Sequence, residues 1–234
     1  MYLATATLCY AFSSSQRCRV SKTLKIDFVS DISCPWCIIG LRGLEEALAR
    51  TGDLIDADIT FQPFELNPQM GKAGQNIGEH IAEKYGSTPE QSAASRTMIR
   101  ERAADLGFAM QMSETSRIYN TFDAHRLLHW AHGEGKQAAL KHALFVAYFT
   151  DQQDPSDHDV LVATAAKVGL DPLRAAAILA SDEFADDVRT AERLWQSRGI
   201  SAVPAVVIND RYLISGGQPP EAFENALRDI AAEA

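Results

Sequence analysis

The stretch that decides the fold is LKIDFVSDISCPWCIIG, residues 24–40. Its opening, Leu24 to Ser30, is rich in β-branched and aromatic side chains and reads as a strand. Pro35 suits the first turn of a helix, where its missing N–H costs no hydrogen bond. Ile38, Ile39, Leu41, Leu44, Ala47 and Leu48 then follow at helical spacing, and Thr51-Gly52-Asp53 ends the run. Asp58 to Leu66 alternates as a second strand, with Pro63 marking an edge or a bulge. Strand, helix and strand within some forty residues make a βαβ unit. Cys34 and Cys37 stand at its strand-to-helix junction.

Further along, the chain from about Asn76 to Arg198 reads as helical throughout. Pro89 opens one helix, which Gly107 stops, and Asn120 or Thr121 caps another from Phe122 to Ala131. Lys136–Thr150 is a third, Asp157 caps Val160–Val168, and Asp171-Pro172 opens the next. Ser181-Asp182-Glu183 opens a longer helix through Trp195 to Gly199. The character then changes. Val203 to Ile208 reads as a buried strand, Asn209-Asp210 as a turn, Tyr212 to Ser215 as the returning strand, and Pro219 to Ala231 as a closing helix. The expected organisation is an α/β fold, with βαβ and ββα halves (residues 24–74 and 199–234) bracketing an all-helical insertion, residues 75–198.

With 234 residues, 46% of them hydrophobic, the chain can bury a sizeable core. Its formal net charge is −9, although the first 25 residues hold Arg17, Arg19, Lys22 and Lys25 and no acid. So acidic a body repels phosphate backbones, which argues against nucleic acid as a partner. No apolar run is long enough to span a membrane. Residues 1–23 are Ser/Thr/Ala-rich and basic, and are expected to be a tail outside the fold. A transit peptide and a leader from a mis-set start codon both fit it, whereas a secretory signal would place its positive charge before the apolar run. Cys9 and Cys18 in that tail are expected to be incidental thiols.

Two cysteines separated by two residues at a helix N-terminus are poised for exchange. The unpaired N–H groups and the positive end of the helix dipole favour thiolate over thiol at the first of them. Cys34 is therefore the candidate nucleophile. Cys37, deeper in the helix, is the candidate resolving thiol, and one helical turn brings their Cβ atoms within bridging range. Structural zinc would need four ligands, and no second CxxC or Cys/His pair follows at suitable spacing, so no metal is expected. Inert packing would not require the strand–CPxC–helix context. Val203-Pro204 is the second element. A proline opening an otherwise central strand is out of place in a ladder, and a cis bond there would present the backbone of Val203 beside the dithiol.

At these residues the chain resembles the DsbA-like thioredoxin-fold family, and within it the FrnE-like branch of predicted dithiol–disulfide isomerases. The matching stretches are Lys25–Gly40, Phe61–Met70, Asn120–Ala131, Leu144–Thr150 and Gly199–Pro220, in that order along the chain. The resemblance implies a thioredoxin fold with a helical insertion, a thiol–disulfide oxidoreductase, Cys34 as nucleophile, Cys37 as resolving cysteine and Pro204 as the cis-proline. Pro35, Trp36 and Val203 are the residues expected to tune the site and meet the substrate backbone. Trp36 stands where DsbA carries a histidine, which implies a less oxidising couple. Thioredoxins also bury an acid on the first strand. Asp27 and Asp31 are the candidates, but neither falls cleanly at that spacing, and strand-end polar residues describe them better.

His125, His129 and His132 share one helical face without an accompanying acid or thiolate, so a polar or substrate-lining face is expected rather than a metal site. Phe122, Leu128, Phe145, Tyr148, Phe149 and Trp195 are expected core. The expected function is disulfide exchange with protein or peptide thiols, with no cofactor beyond the redox-active pair and with glutathione as a candidate co-substrate. Glutathione-dependent isomerases and kappa-type transferases share the fold and form the alternative, and a chaperone-like groove with a vestigial dithiol is the third reading. With no other cysteine in the body and no secretory pattern, a cytoplasmic setting is expected, or an organellar one if the tail is a transit peptide. Oligomeric state is left open.

Overall fold

The computed structural model describes residues 21–233. Cys9 and Cys18 lie outside them. Strand β1 (Lys22–Ser30) leads into helix α1 (Pro35–Arg50) and strand β2 (Ile55–Pro63). Strands β3 (Gln75–Asn76) and β4 (Arg117–Ile118) and helices α2 (Ile77–Tyr85), α3 (Pro89–Asp105), α4 (Phe122–Gly133) and α5 (Gln137–Phe145) follow. Helix α5 continues as a π-helical turn, Val146–Thr150, before α6 (His158–Lys167), α7 (Pro172–Leu179) and α8 (Ala185–Ser197). Strands β5 (Ala205–Ile208) and β6 (Tyr212–Ser215) and helix α9 (Pro220–Glu233) complete the fold.

The main sheet has the order β2-β1-β5-β6, with β1 parallel to β2 and antiparallel to β5. Chain reversal puts the two halves of the sheet side by side, so β1 is central and buried from Ile26 onward. Pro63 ends β2 on an edge strand, where its missing N–H breaks no ladder. That edge is still bonded where the helical block meets it: Gln137 Oε1 accepts from Phe61 N at 2.9 Å, and its Nε2 donates to Phe61 O at 2.9 Å. The amide thereby ties α5 to the sheet through two backbone groups that would otherwise be buried unpaired. Phe28, Leu44, Phe223 and Leu227 are fully buried in the core that α1 and α9 share with the sheet. A second cluster, including Leu127, Leu140, Leu161 and Ile178, holds the helical block together.

Several boundaries differ from expectation. β1 begins at Lys22 rather than Leu24, because Lys22 and Thr23 extend the parallel ladder opposite Ile55 and Asp56. α8 begins at Ala185, four residues after Ser181, because Phe184 takes a left-handed conformation (φ 63°) that interrupts helical geometry. The stretch from about Asn76 to Arg198 is not helical throughout: Gln75–Asn76 and Arg117–Ile118 pair as a small antiparallel ribbon. Of the expected core aromatics, Phe145, Phe149 and Trp195 are buried. Phe122 and Tyr148 are half-buried instead.

Candidate active site

Helix α1 starts at Pro35, which makes Cys34 its N-cap residue, with extended backbone angles (φ −90°, ψ 113°) and no capping side-chain bond. The Cys34 Sγ is therefore free to point away from the helix, and it lies 3.6 Å from the carbonyl oxygen of Val203. The Val203–Pro204 peptide is cis. Two glycines allow this close approach. A Cβ on Gly40 of α1 would meet Pro204 Cγ at 3.0 Å, and one on Gly217 would meet the Trp36 carbonyl oxygen at 2.9 Å. Cys34, Cys37, Pro35 and Trp36 thus meet Val203 and Pro204 from the other end of the chain.

Both thiols are free, and Cys37 is wholly inaccessible. Burial pushes the Cys37 thiol well up, and its hydrogen bond to Cys34 and the field of Cys34 push it further. At neutral pH Cys37 consequently keeps its proton. Cys34 forms part of the wall of an open groove of about 650 Å³. Phe64, Leu66, Ile81, Ile99 and Met112 make it apolar, with His80, Lys84 and Arg96 among its polar lining. Trp36, beside the dithiol, is covered by the Arg102 guanidinium, 5.4 Å from its ring centroid.

Beneath the dithiol lies a set of charges whose grouping the sequence did not reveal. Asp31 is not merely a strand-end polar residue. It is 1% exposed, and it accepts from Ser33 N at 3.2 Å, Ser33 Oγ at 3.1 Å and Leu66 N at 2.7 Å. Burial pushes its carboxyl up, but the His125 ring, the Leu66 N–H and the Thr121 hydroxyl outweigh burial and hold it below the usual carboxylate range. His125 does have an acid beside it: its Nε2 is 3.7 Å from Asp31 Oδ1. His129 instead packs against the Phe184 ring, at 5.1 Å between centroids. Among the described residues no group of three or more His, Cys, Asp or Glu is placed to hold a metal ion. Asp27, also buried, pairs with Lys25 at 3.1 Å and accepts from Gln62 at 2.6 Å.

Lys141 is the residue that the sequence reading did not single out. It is completely buried, and its Nζ has no hydrogen-bond partner, lying 5.0 Å from the Phe145 ring centroid. Burial pulls its ammonium down to about 8, against the opposing fields of Cys37, Asp31 and Cys34. A signal was available: Gln137, Leu140, Lys141, Leu144 and Phe145 are the buried stripe of α5 at helical spacing, so a lysine sits where an apolar residue belongs.

A family model described as a DSBA-like thioredoxin domain matches residues 25–228. The chain belongs to the DsbA-like thioredoxin family. At that level it is a thiol–disulfide oxidoreductase with a helical insertion in a thioredoxin fold. Among solved structures it is similar to a probable DsbA oxidoreductase from Streptomyces coelicolor, at 34% identity and a TM-score of 0.82, covering 90% of this chain and 91% of that one. Among curated proteins it is similar to the uncharacterised protein YwbO of Bacillus subtilis, 27% identical over 208 residues, which is 88% of this chain and 97% of that protein. The cytosolic disulfide reductase DsbM of Pseudomonas aeruginosa, solved with glutathione, shares the DsbA-like fold at 16% identity and a TM-score of 0.58, over 88% of this chain and 98% of that one.

Proposed function

We propose that this DsbA-family member exchanges disulfides with protein or peptide thiols, with Cys34 as nucleophile and Cys37 as resolving thiol. The observation that carries the reading is the placement of Cys34. Its sulfur sits at the open end of α1, 3.6 Å from the Val203 carbonyl, in the wall of a large apolar groove, with a second thiol buried behind it. Burial disfavours the anion at the sulfur held in reserve.

In the reductive direction the Cys34 thiolate attacks one sulfur of the substrate disulfide. The substrate S–S bond breaks, and the departing sulfur leaves as a thiolate that takes a proton from water. Cys37 then loses its proton and attacks Cys34 Sγ, which breaks the mixed disulfide and releases the second substrate thiol. Two electrons pass to the substrate and the protein keeps the disulfide; oxidation of a substrate dithiol is the same sequence reversed. The backbone of Val203, beside the dithiol, offers main-chain hydrogen bonds to an extended peptide. The helical insertion, residues 75–198, supplies Ile81, Ile99 and Met112 to cover its side chains. Glutathione is the small thiol we assign to recycling the pair. We place the chain in the FrnE-like branch on its CPWC motif and five matching stretches, and in the cytoplasm because its body carries no cysteine beyond this pair.

A Cys37→Ser protein incubated with a disulfide-bonded peptide should accumulate a mixed disulfide through Cys34, visible by mass spectrometry, while Cys34→Ser should not. Both variants should lose insulin reduction with dithiothreitol. Glutathione-dependent turnover of a small electrophile that survives Cys37→Ser, without any trapped adduct, would replace exchange by a glutathione-dependent isomerase or kappa-type transferase.

A further inference from the structure

The groove beside Cys34 carries charge as well as an apolar wall, and the charges left free in it are positive. Ile81 of α2, Ile99 of α3 and Met112 line it together with Lys84 and Arg96. We propose that this groove selects a disulfide-bearing peptide segment with apolar and acidic side chains next to its cysteine. The apolar group lodges among Ile81, Ile99 and Met112, and the carboxylate is bound by Arg96 and Lys84. The inference deepens the exchange reading above and rests on it.

Helical spacing builds the two charged walls. On α2, Ile77, Ile81 and Lys84 fall three and four residues apart, and on α3, Ser92, Arg96 and Ile99 do the same, so each helix turns a mixed stripe to the groove. Arg96 is half-buried and makes no hydrogen bond or ion pair with another described residue. Its guanidinium donors are therefore all available to a ligand. Lys84 Nζ donates to the Leu66 carbonyl at 2.9 Å and to Asn67 Oδ1 at 2.8 Å, in the loop after β2. Both acceptors are neutral, and an ammonium has a further N–H left for an anion. His80 adds no charge at neutral pH, because burial and the Lys84 ammonium pull its imidazole below the ordinary range. Glu65 is the acid of the lining, but its side chain is 2% exposed, is paired with Arg189 and accepts from Asn120 at 3.3 Å. It presents no free carboxylate to the groove.

Charge complementarity argues for an acidic occupant. The chain as a whole carries −9, and such a surface repels an acidic peptide except where positive groups stand free. Arg96 and Lys84 supply that exception in the groove that reaches Cys34. A basic segment would meet like charge there, and a wholly polar one would leave the apolar wall in water. The volume, about 650 Å³, falls in the roughly 300–1,000 Å³ range of sites that bury a ligand of drug size, which leaves room for both groups.

The test uses the capped peptides Glu-Leu-Cys-Leu-Glu, Gln-Leu-Cys-Leu-Gln, Lys-Leu-Cys-Leu-Lys and Glu-Ser-Cys-Ser-Glu, each with thionitrobenzoate disulfide-bonded to its cysteine. The Cys34 thiolate attacks the peptide sulfur, the bond to thionitrobenzoate breaks, and the coloured thiolate released is counted as the peptide–Cys34 disulfide forms. Each rate is divided by that peptide's rate with 2-mercaptoethanol, which removes differences in intrinsic reactivity. Reduced wild type should take the glutamate–leucine peptide about tenfold faster than the glutamine one and about 100-fold faster than the lysine one, with both ratios shrinking as salt is raised. The serine peptide should be about tenfold slower than its leucine counterpart. Arg96→Gln combined with Lys84→Gln should bring the glutamate-to-glutamine ratio close to one. Equal wild-type rates for glutamate and glutamine, a faster lysine peptide, or a ratio that survives the double substitution would overturn the proposal. So would a serine peptide as fast as the leucine one, which would assign the groove to a polar, glutathione-like ligand. The wild-type ratios decide alone if the double variant does not fold. A wild-type protein that reacts neither with any peptide nor with neutral 2,2′-dithiodipyridine would instead overturn the exchange reading itself.

Discussion

Burying an ammonium with no partner has a thermodynamic signature, and Lys141→Met isolates it. The folded protein holds this lysine at about 8, against 10.5 for the free side chain. The unfolded chain therefore binds the proton more tightly than the native one. At 1.36 kcal/mol per pH unit, that preference costs the native state about 3 kcal/mol at pH 7. The penalty is complete below pH 8 and fades as pH rises towards 10.5, where the unfolded chain also gives up its proton; integration leaves about 1 kcal/mol at pH 9.5. Methionine is similar in length and apolar, and replacing an unpaired buried charge by such a side chain is commonly neutral or stabilising. We expect Lys141→Met to be more stable than the wild type by about 3 kcal/mol at pH 7, an advantage shrinking by about 2 kcal/mol at pH 9.5. Cys37 works in the opposite sense. Its raised value means that the native state retains a proton the unfolded chain has released, so stability falls at alkaline pH. Lys141 opposes that shift, so the variant loses more stability through Cys37 and its advantage shrinks all the further at pH 9.5. Urea titrations of reduced protein at the two pH values measure it. A difference that stays constant between them, or a variant less stable at pH 7, would refute the reasoning.

Gly43→Ala should lower stability by about 1–3 kcal/mol in a thermal or urea melt, because the added Cβ would lie 2.7 Å from the Gln218 carbonyl oxygen and must push a backbone segment aside. Asp31→Ala should cost about 3–5 kcal/mol at pH 7, since it leaves the Ser33 and Leu66 donors without their buried acceptor and the His125 ring without its neighbouring carboxylate. Because the folded Asp31 carboxyl is held below its unfolded value, the stabilisation it contributes is complete above about pH 4 and lost as pH falls through the folded value. Wild type and variant should therefore converge in acid, and urea melts from pH 7 down to pH 3 follow that convergence.

The parts of the fold that were legible in the sequence are those set by local chemistry. Pro35 after a β-branched run, followed by apolar residues at helical spacing, places Cys34 at a helix start whatever surrounds it. The caps at Asp157 and Asp171 likewise declare themselves through side chains that accept from N–H groups two or three residues on. Elements without a local signature were missed or displaced. β3 and β4 are two residues each, too short for periodicity, and exist because Gln75–Asn76 and Arg117–Ile118 meet across the fold. The start of α8 is moved by the left-handed Phe184, a conformation that a bulky aromatic residue does not favour by itself.

The amino-acid order alone determined that one thiol would cap a helix, with a second one turn inside it and a proline strand to oppose them. Only the tertiary structure decided the electrostatics behind that pair. It brought Asp31, His125 and Lys141 from a loop and two separate helices into one space closed to water. Helical period and capping depend on neighbours a few residues away, whereas the free energy of a buried charge is summed over every group that replaces its hydration shell.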